Sequence, residues 1–168
     1  RYTEGPWLYK RNDLYYLVYP ATGIPEKIAY STAPTATGPW PYKGLIMERA
    51  PQLAFTNHPG IIDYKGNSYF FYHSEGLPGG GGFRRSVCVE QFQYETDGSI
   101  PMIKPTKEGV KESVSHLNPY ERVEAETIAW SKGLKTAGNS KTGVYVTNIN
   151  HGDYLKVRSV DLGKGAGI

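Results

Sequence analysis

The chain has 168 residues, 39% of them hydrophobic, with 14 Tyr, 20 Gly and 12 Pro. That balance excludes a disordered segment and points to one globular domain, or one and a part, all-β and rich in turns. The net charge of +3 comes without runs of Lys or Arg, so no nucleic-acid footprint is visible, and no apolar run approaches the ~18 residues of a membrane span.

The chain begins at Arg1, a few residues before a strand, with neither an initiator Met nor an export signal. Residues 163–168 stop without a clear domain ending. Both ends read as cuts, making this an internal piece of a longer protein. Residues 7–19, WLYKRNDLYYLVY, read as a strand, a turn at Arg11-Asn12-Asp13 and a second strand. EKIAYS at 26–31 is a third strand, and a more polar fourth segment follows.

The plan then recurs. Residues 61–73, IIDYKGNSYFFYH, are a strand, a Gly66-Asn67 turn and an aromatic strand. RSVCVEQF at 85–92 is the third strand, with another polar segment after it. Its Cys88 sits in apolar alternation and reads as a core thiol; a single cysteine excludes an internal disulfide. The aromatics Tyr15, Tyr16, Phe70, Phe71 and Tyr72 read as core, with alternation burying about half of each strand. Residues 79–82 are four glycines, but no Gly-Lys-Ser/Thr follows and a strand comes next, so this is not a phosphate loop. A flexible loop that lets substrate approach the backbone is the simpler reading.

Glu4 and His58 hold matching places 54 positions apart, each followed by a Pro and then a hairpin. A period of ~50 residues with about four strands per unit is the signature of a β-propeller blade. Two blades cannot close a ring, which again implies further sequence. In a propeller the innermost strand of each blade lines the central channel. Glu4 and His58 would therefore converge on one mouth of it.

The pattern lapses over residues 104–120, and a boundary near 120 separates 1–119 from 120–168. Residues 122–126, 142–149 and 152–160 read as alternating strands with Gly-Asp punctuation, as in a β-sandwich.

Pattern alone leaves each candidate residue with two readings. Glu4 is a solvated strand start or a proton donor kept in its acid form by burial or a nearby negative charge. His58 is a core histidine or a ligand that needs companions. Arg85 pairs with Glu75 or Glu90, or holds sugar hydroxyls and carboxylates. Glu124 and Glu126 alternate onto one face, as an exposed edge or as part of an oxygen-ligand site.

Three stretches, TEGPWLYKRNDLYYLVY, TNHPGIIDYKGNSYFFYH and GGGGFRRSVCVEQFQYETDGSI, together resemble glycoside hydrolase family 43, and most of all its arabinoxylan-debranching arabinofuranosidases. The tail, ERVEAETIAWSKGLKT with INHGDYLKVRSVDLGKGAG, resembles the first half of a family 6 carbohydrate-binding module. The resemblance implies an all-β chain: later blades of a five-bladed propeller, then the start of a jelly-roll β-sandwich. It implies an inverting hydrolase in which Glu4, in the "EGP" motif, gives the proton. His58, in "NHPG", helps hold the channel and a metal ion there, typically calcium. Arg85, rather than Arg84, reaches the sugar. Glu124 and Glu126 contribute to a structural calcium site of the binding module. The sugar-stacking Tyr of such modules is replaced here by Asn148.

The family's general base, and a second Asp that tunes the acid, lie in blades upstream of Arg1. Asp13 and Asp63 sit in or beside hairpin turns and replace neither. The missing blades would come from upstream sequence or a separate chain, and without them the chain should be inactive. The implied substrate is arabinoxylan, a polysaccharide, and the implied compartment is extracellular. Alternatives on the same fold are a β-xylosidase or endo-arabinanase. A non-catalytic carbohydrate-binding propeller and a protein-interaction propeller are the rivals from other classes.

Overall fold

The computed structural model describes residues 2–77, 79–111, 115–126 and 129–164. All of its named elements are strands. Contacts divide the chain into two units, residues 1–111 and 112–168.

In the first unit, β1 (Trp7–Arg11), β2 (Leu14–Ala21), β3 (Lys27–Ala33) and β4 (Tyr42–Met47) form a four-stranded antiparallel meander in sequence order. β5 (Gly60–Tyr64), β6 (Asn67–Ser74) and β7 (Ser86–Phe92) form a three-stranded antiparallel sheet, also in sequence order. The repeat is therefore real at the level of pairing. The first hairpin turns at Asn12, which takes φ 52°, as Asn does more readily than other side chains. In the second hairpin the left-handed residues are Lys65 and Gly66 (φ 49° and 78°), and Tyr64 pairs with Asn67. The turn thus lies one residue earlier than the expected Gly66-Asn67, because two left-handed residues are what a tight two-residue hairpin needs.

One buried cluster joins the two sheets. It takes Tyr16, Val18, Ile28, Tyr30, Ile46 and Met47 from the first sheet and Ile61, Phe70, Tyr72 and Phe92 from the second. Burying each such side chain contributes on the order of 2 kcal/mol before entropy is counted. Phe71 points to the other face and is exposed, as alternation requires. Cys88 is half-buried and its thiol lies 3.2 Å from the Ser74 hydroxyl.

The second copy has no fourth strand: residues 93–111 carry no named element. Pro101 and Pro105 lack ladder donors. Ile100 and Ile103 enter the shared core instead. The Ile103 amide donates to the Ile46 carbonyl at 2.6 Å, and the Ile100 amide to the Tyr30 hydroxyl at 3.1 Å. Glu90, buried on β7, accepts from the Tyr72 hydroxyl at 2.9 Å and from the Thr106 amide at 2.7 Å, which ties this segment down.

The second unit contains two antiparallel pairs, β8 (Trp130–Lys132) with β11 (Tyr154–Lys156) and β9 (Lys135–Asn139) with β10 (Gly143–Thr147). Of the expected strands, 142–149 and 152–160 shrink to β10 and β11, and 122–126 is not a strand. The unit starts earlier than the expected boundary at 120. Leu117 is the reason: its amide donates to the Ser159 carbonyl, its carbonyl accepts from the Asp161 amide, and both bonds are 2.9 Å.

Candidate active site

The site grows from the repeat. Trp7 donates its indole N–H to the Ile61 carbonyl at 2.9 Å, and Arg11 reaches Asp63 at 3.2 Å. These bonds hold β1 beside β5. The residues leading into the two strands therefore meet. Ahead of β1, the Thr3 amide donates to the Pro20 carbonyl at 3.1 Å, which lays the leader along the end of β2. Gly5 takes φ 50°, and a Cβ there would lie 2.8 Å from the His58 ring. Only glycine lets the Glu4-Gly5-Pro6 turn press flat on that imidazole.

Glu4 Oε1 lies 3.3 Å from His58 Nε2. The side chains are 49% and 34% exposed, so this is a half-open pair. The two are in close polar contact without a hydrogen bond, and His58 Nε2 is shielded from solvent.

Glu26 completes the group. Glu4, Glu26 and His58 each present one ligating atom, all within 4.8 Å of one another. Glu26 is buried, although it lies just ahead of β3, where an acid reads as solvated. Its Oε2 accepts the Asn57 amide at 3.2 Å, and its own amide donates to the Phe55 carbonyl at 3.3 Å. Burial pushes its carboxyl above the usual carboxylate range. The Asn57 amide opposes that shift, the charge of Glu4 adds to it, and His58 opposes it.

Behind His58 stands His73. Its Nδ1 lies 3.4 Å from the His58 amide and 3.3 Å from the Thr56 carbonyl, so its tautomer decides which it serves. The Asn57 side-chain oxygen accepts the His73 amide at 2.9 Å. Burial pushes the His73 imidazole below its ordinary range; the Thr56 carbonyl resists, and the Arg85 and His58 charges add to the fall. Arg85 Nη1 donates to the Thr56 hydroxyl at 3.3 Å, whereas Arg84 is pinned to the Gly79 carbonyl at 3.2 Å. Neither Glu75 nor Glu90 pairs with Arg85 among the described ion pairs. Asp63 is engaged by Arg11 and by the Ser68 hydroxyl, at 2.6 Å for the latter.

The structure thus brings Glu4 and His58 together and turns Arg85 towards the same segment. It does not gather Glu124 and Glu126 into a ligand group: among the described residues only Glu4, Glu26 and His58 make one. Glu124 is bridged by Arg122 at 2.9 Å. Sequence reasoning missed Glu26, Asn57 and His73. A buried acid near a strand start gives no local signal, but His73 has one: it closes the aromatic strand that faces the "NHPG" segment.

A divalent cation fits the donor set on two counts. Glu26 and His58 each bring a ligating atom within 4.8 Å of the other, with Glu4 beside them, and the shielded His58 Nε2 makes no hydrogen bond. Calcium prefers six to eight oxygens, so waters would have to complete its shell.

Residues 1–100 match the family described as Glycosyl hydrolases family 43. An arabinoxylan arabinofuranohydrolase of Bacillus subtilis (strain 168) is 33% identical over 96% of this chain and 35% of that protein. A β-xylosidase of Xylanibacter ruminicola is 33% identical over 62% of this chain and 32% of that protein. A crystal structure of a family 43 arabinoxylan arabinofuranohydrolase from Bacillus subtilis with cellotetraose superposes with a TM-score of 0.72 at 30% identity, covering 96% of this chain and 37% of that one. The chain spans about a third of the length of the curated relatives it matches.

Proposed function

Because the chain belongs to glycosyl hydrolases family 43, we propose that it supplies the acid side of an inverting hydrolase that removes α-L-arabinofuranosyl side chains from arabinoxylan. The contact of Glu4 with His58 across the repeat, 3.3 Å, carries the reading. Glu4 in its acid form gives a proton to the departing glycosidic oxygen. A carboxylate from outside these 168 residues activates water on the opposite face, ~6.5–9.5 Å away. Such a donor typically contributes 10²–10⁴-fold to the rate. Arg85 donates to sugar hydroxyls from its anchor on Thr56.

The extent of similarity favours this substrate over xylosides. The arabinofuranohydrolase relative matches over 96% of the chain and so across both units, whereas the β-xylosidase relative matches over 62%, less than the length of the first unit alone. The first unit is read as blades of a five-bladed propeller and the second as the start of a family 6 binding module. His58 and Glu26 are read as holding a structural calcium ion with water. A cation fixes charge, so Glu4 stays outside its shell while it carries a proton. Arabinoxylan lies outside cells, so the working compartment is extracellular.

The test uses the full-length protein on arabinoxylan. Arabinose should be released with inverted anomeric configuration, read by proton NMR at early times. Glu4→Gln should slow release by about a hundredfold or more. Loss below tenfold, or retention of configuration, overturns the assignment.

A further inference from the structure

Phe83 follows the four glycines and is 74% exposed, and Phe55, 40% exposed, meets it edge to face at 5.4 Å and 86°. This pair is built rather than incidental. The Phe55 amide donates to the Gly82 carbonyl at 2.8 Å, and a Cβ on Gly82 would strike the Phe55 ring at 2.5 Å. The loop is therefore packed onto Phe55 at one point only. A Cβ added at Gly79 or Gly81 would meet nothing within 4 Å, whereas one at Gly80 would strike the Glu75 carbonyl, and the Gly79 and Gly81 carbonyls accept from Arg84. The pair is continuous with the candidate site. Phe55 leads directly into Thr56, Asn57 and His58, and Phe83 leads into Arg84 and Arg85.

Phe83 thus offers an open aromatic face, and the two residues that follow it are arginines whose guanidinium groups are anchored on the Gly79 carbonyl and the Thr56 hydroxyl. A sugar ring has a matching form: an apolar face of C–H bonds, which the electron-rich ring face attracts, and a rim of hydroxyls that accept from arginine. Burying exposed aromatic surface adds to the attraction. We propose that Phe83, buttressed by Phe55, is a stacking platform for a main-chain pyranose of the polysaccharide, flanking the residue that is cleaved. Phe83 then determines preference for polymer over small glycosides and takes no part in bond breaking. The proposal rests on the arabinoxylan reading above.

The experiment compares the full-length protein with its Phe83→Ala and Phe83→Tyr variants on arabinoxylan and on 4-nitrophenyl α-L-arabinofuranoside. Phe83→Ala should raise KM for the polymer about five- to tenfold, with kcat within about twofold and the small substrate unaffected. Phe83→Tyr, which keeps the ring, should restore the polymer KM, and neither variant should move the melting midpoint. An unchanged polymer KM in Phe83→Ala, alongside normal wild-type activity, overturns the platform and leaves the hydrolase reading standing. A lowered melting midpoint with equal loss on both substrates also overturns it, since the ring would then be packed against the rest of the protein. A wild-type protein that releases arabinose from neither substrate removes both readings together.

Discussion

Trp7 and Ile61, 54 residues apart and equivalent in the two repeats, are joined by a hydrogen bond of 2.9 Å from indole nitrogen to carbonyl oxygen. That bond sets the stagger of β1 against β5, and so the meeting of Glu4 with His58, each three residues upstream. Trp7→Phe removes the donor and leaves the Ile61 carbonyl without it. The expected cost is about 1–3 kcal/mol of stability, read by denaturant unfolding. Activity of the full-length protein on arabinoxylan should fall further than stability alone explains, because small displacements of a proton donor are expensive in rate. Full activity in a destabilised variant would show that the stagger is held elsewhere.

Gly5 and Gly66 both take positive φ, 50° and 78°, but only Gly5 has a neighbour in the way. Alanine at either position strains the backbone by about 1 kcal/mol or more. At Gly5 the new methyl would also meet the His58 ring at 2.8 Å, while at Gly66 it would meet nothing within 4 Å. Gly5→Ala should therefore unfold at lower denaturant than Gly66→Ala and lose activity, while Gly66→Ala keeps activity. Equal behaviour of the two would mean that the His58 ring moves aside freely.

The same contrast shows what could be read from sequence. The repeat, both hairpins and the pairing of Glu4 with His58 follow from spacing and turn residues, which are local signals. Glu26 and Asn57 are not local: their burial depends on β3 and the 55–58 segment closing over them. The missing fourth strand of the second copy is legible in hindsight at Pro101 and Pro105, which remove ladder donors. β8 and β9 were missed because WSK and KTAGN carry no apolar alternation.

Chelation tests the cation. If an ion sits among His58, Glu26 and water, EDTA should lower the melting midpoint, and added calcium should restore it in proportion to RT ln(1 + [Ca²⁺]/Kd). His58→Ala should abolish the response. A midpoint unchanged by EDTA in the wild type would remove the ion as a stabilising feature and leave His58 as a positioning residue for Glu4.

Glu26 gives a pH signature with a definite sign. Burial raises its folded-state carboxyl above the ordinary 4.5, so between the two values the native chain binds more protons than the unfolded one. Its stabilising contribution is complete below the ordinary value and is lost as pH rises through the raised one. Glu26→Gln keeps the acceptor for the Asn57 amide but cannot ionise. With EDTA present, so that no cation is held at Glu26, the variant should therefore match or trail the wild type at about pH 4 and gain on it steadily towards about pH 8, read as the difference of melting midpoints. His73 works in the opposite direction: burial holds its imidazole below the ordinary 6.5, so its contribution is lost as pH falls through the lowered value. The two slopes oppose each other in the wild type, which is why the difference between wild type and Glu26→Gln, and not the wild-type curve, isolates Glu26. A difference that stays flat with pH, or narrows in the variant's disfavour as pH rises, would mean that the Asn57 amide and His58 outweigh burial at this carboxylate.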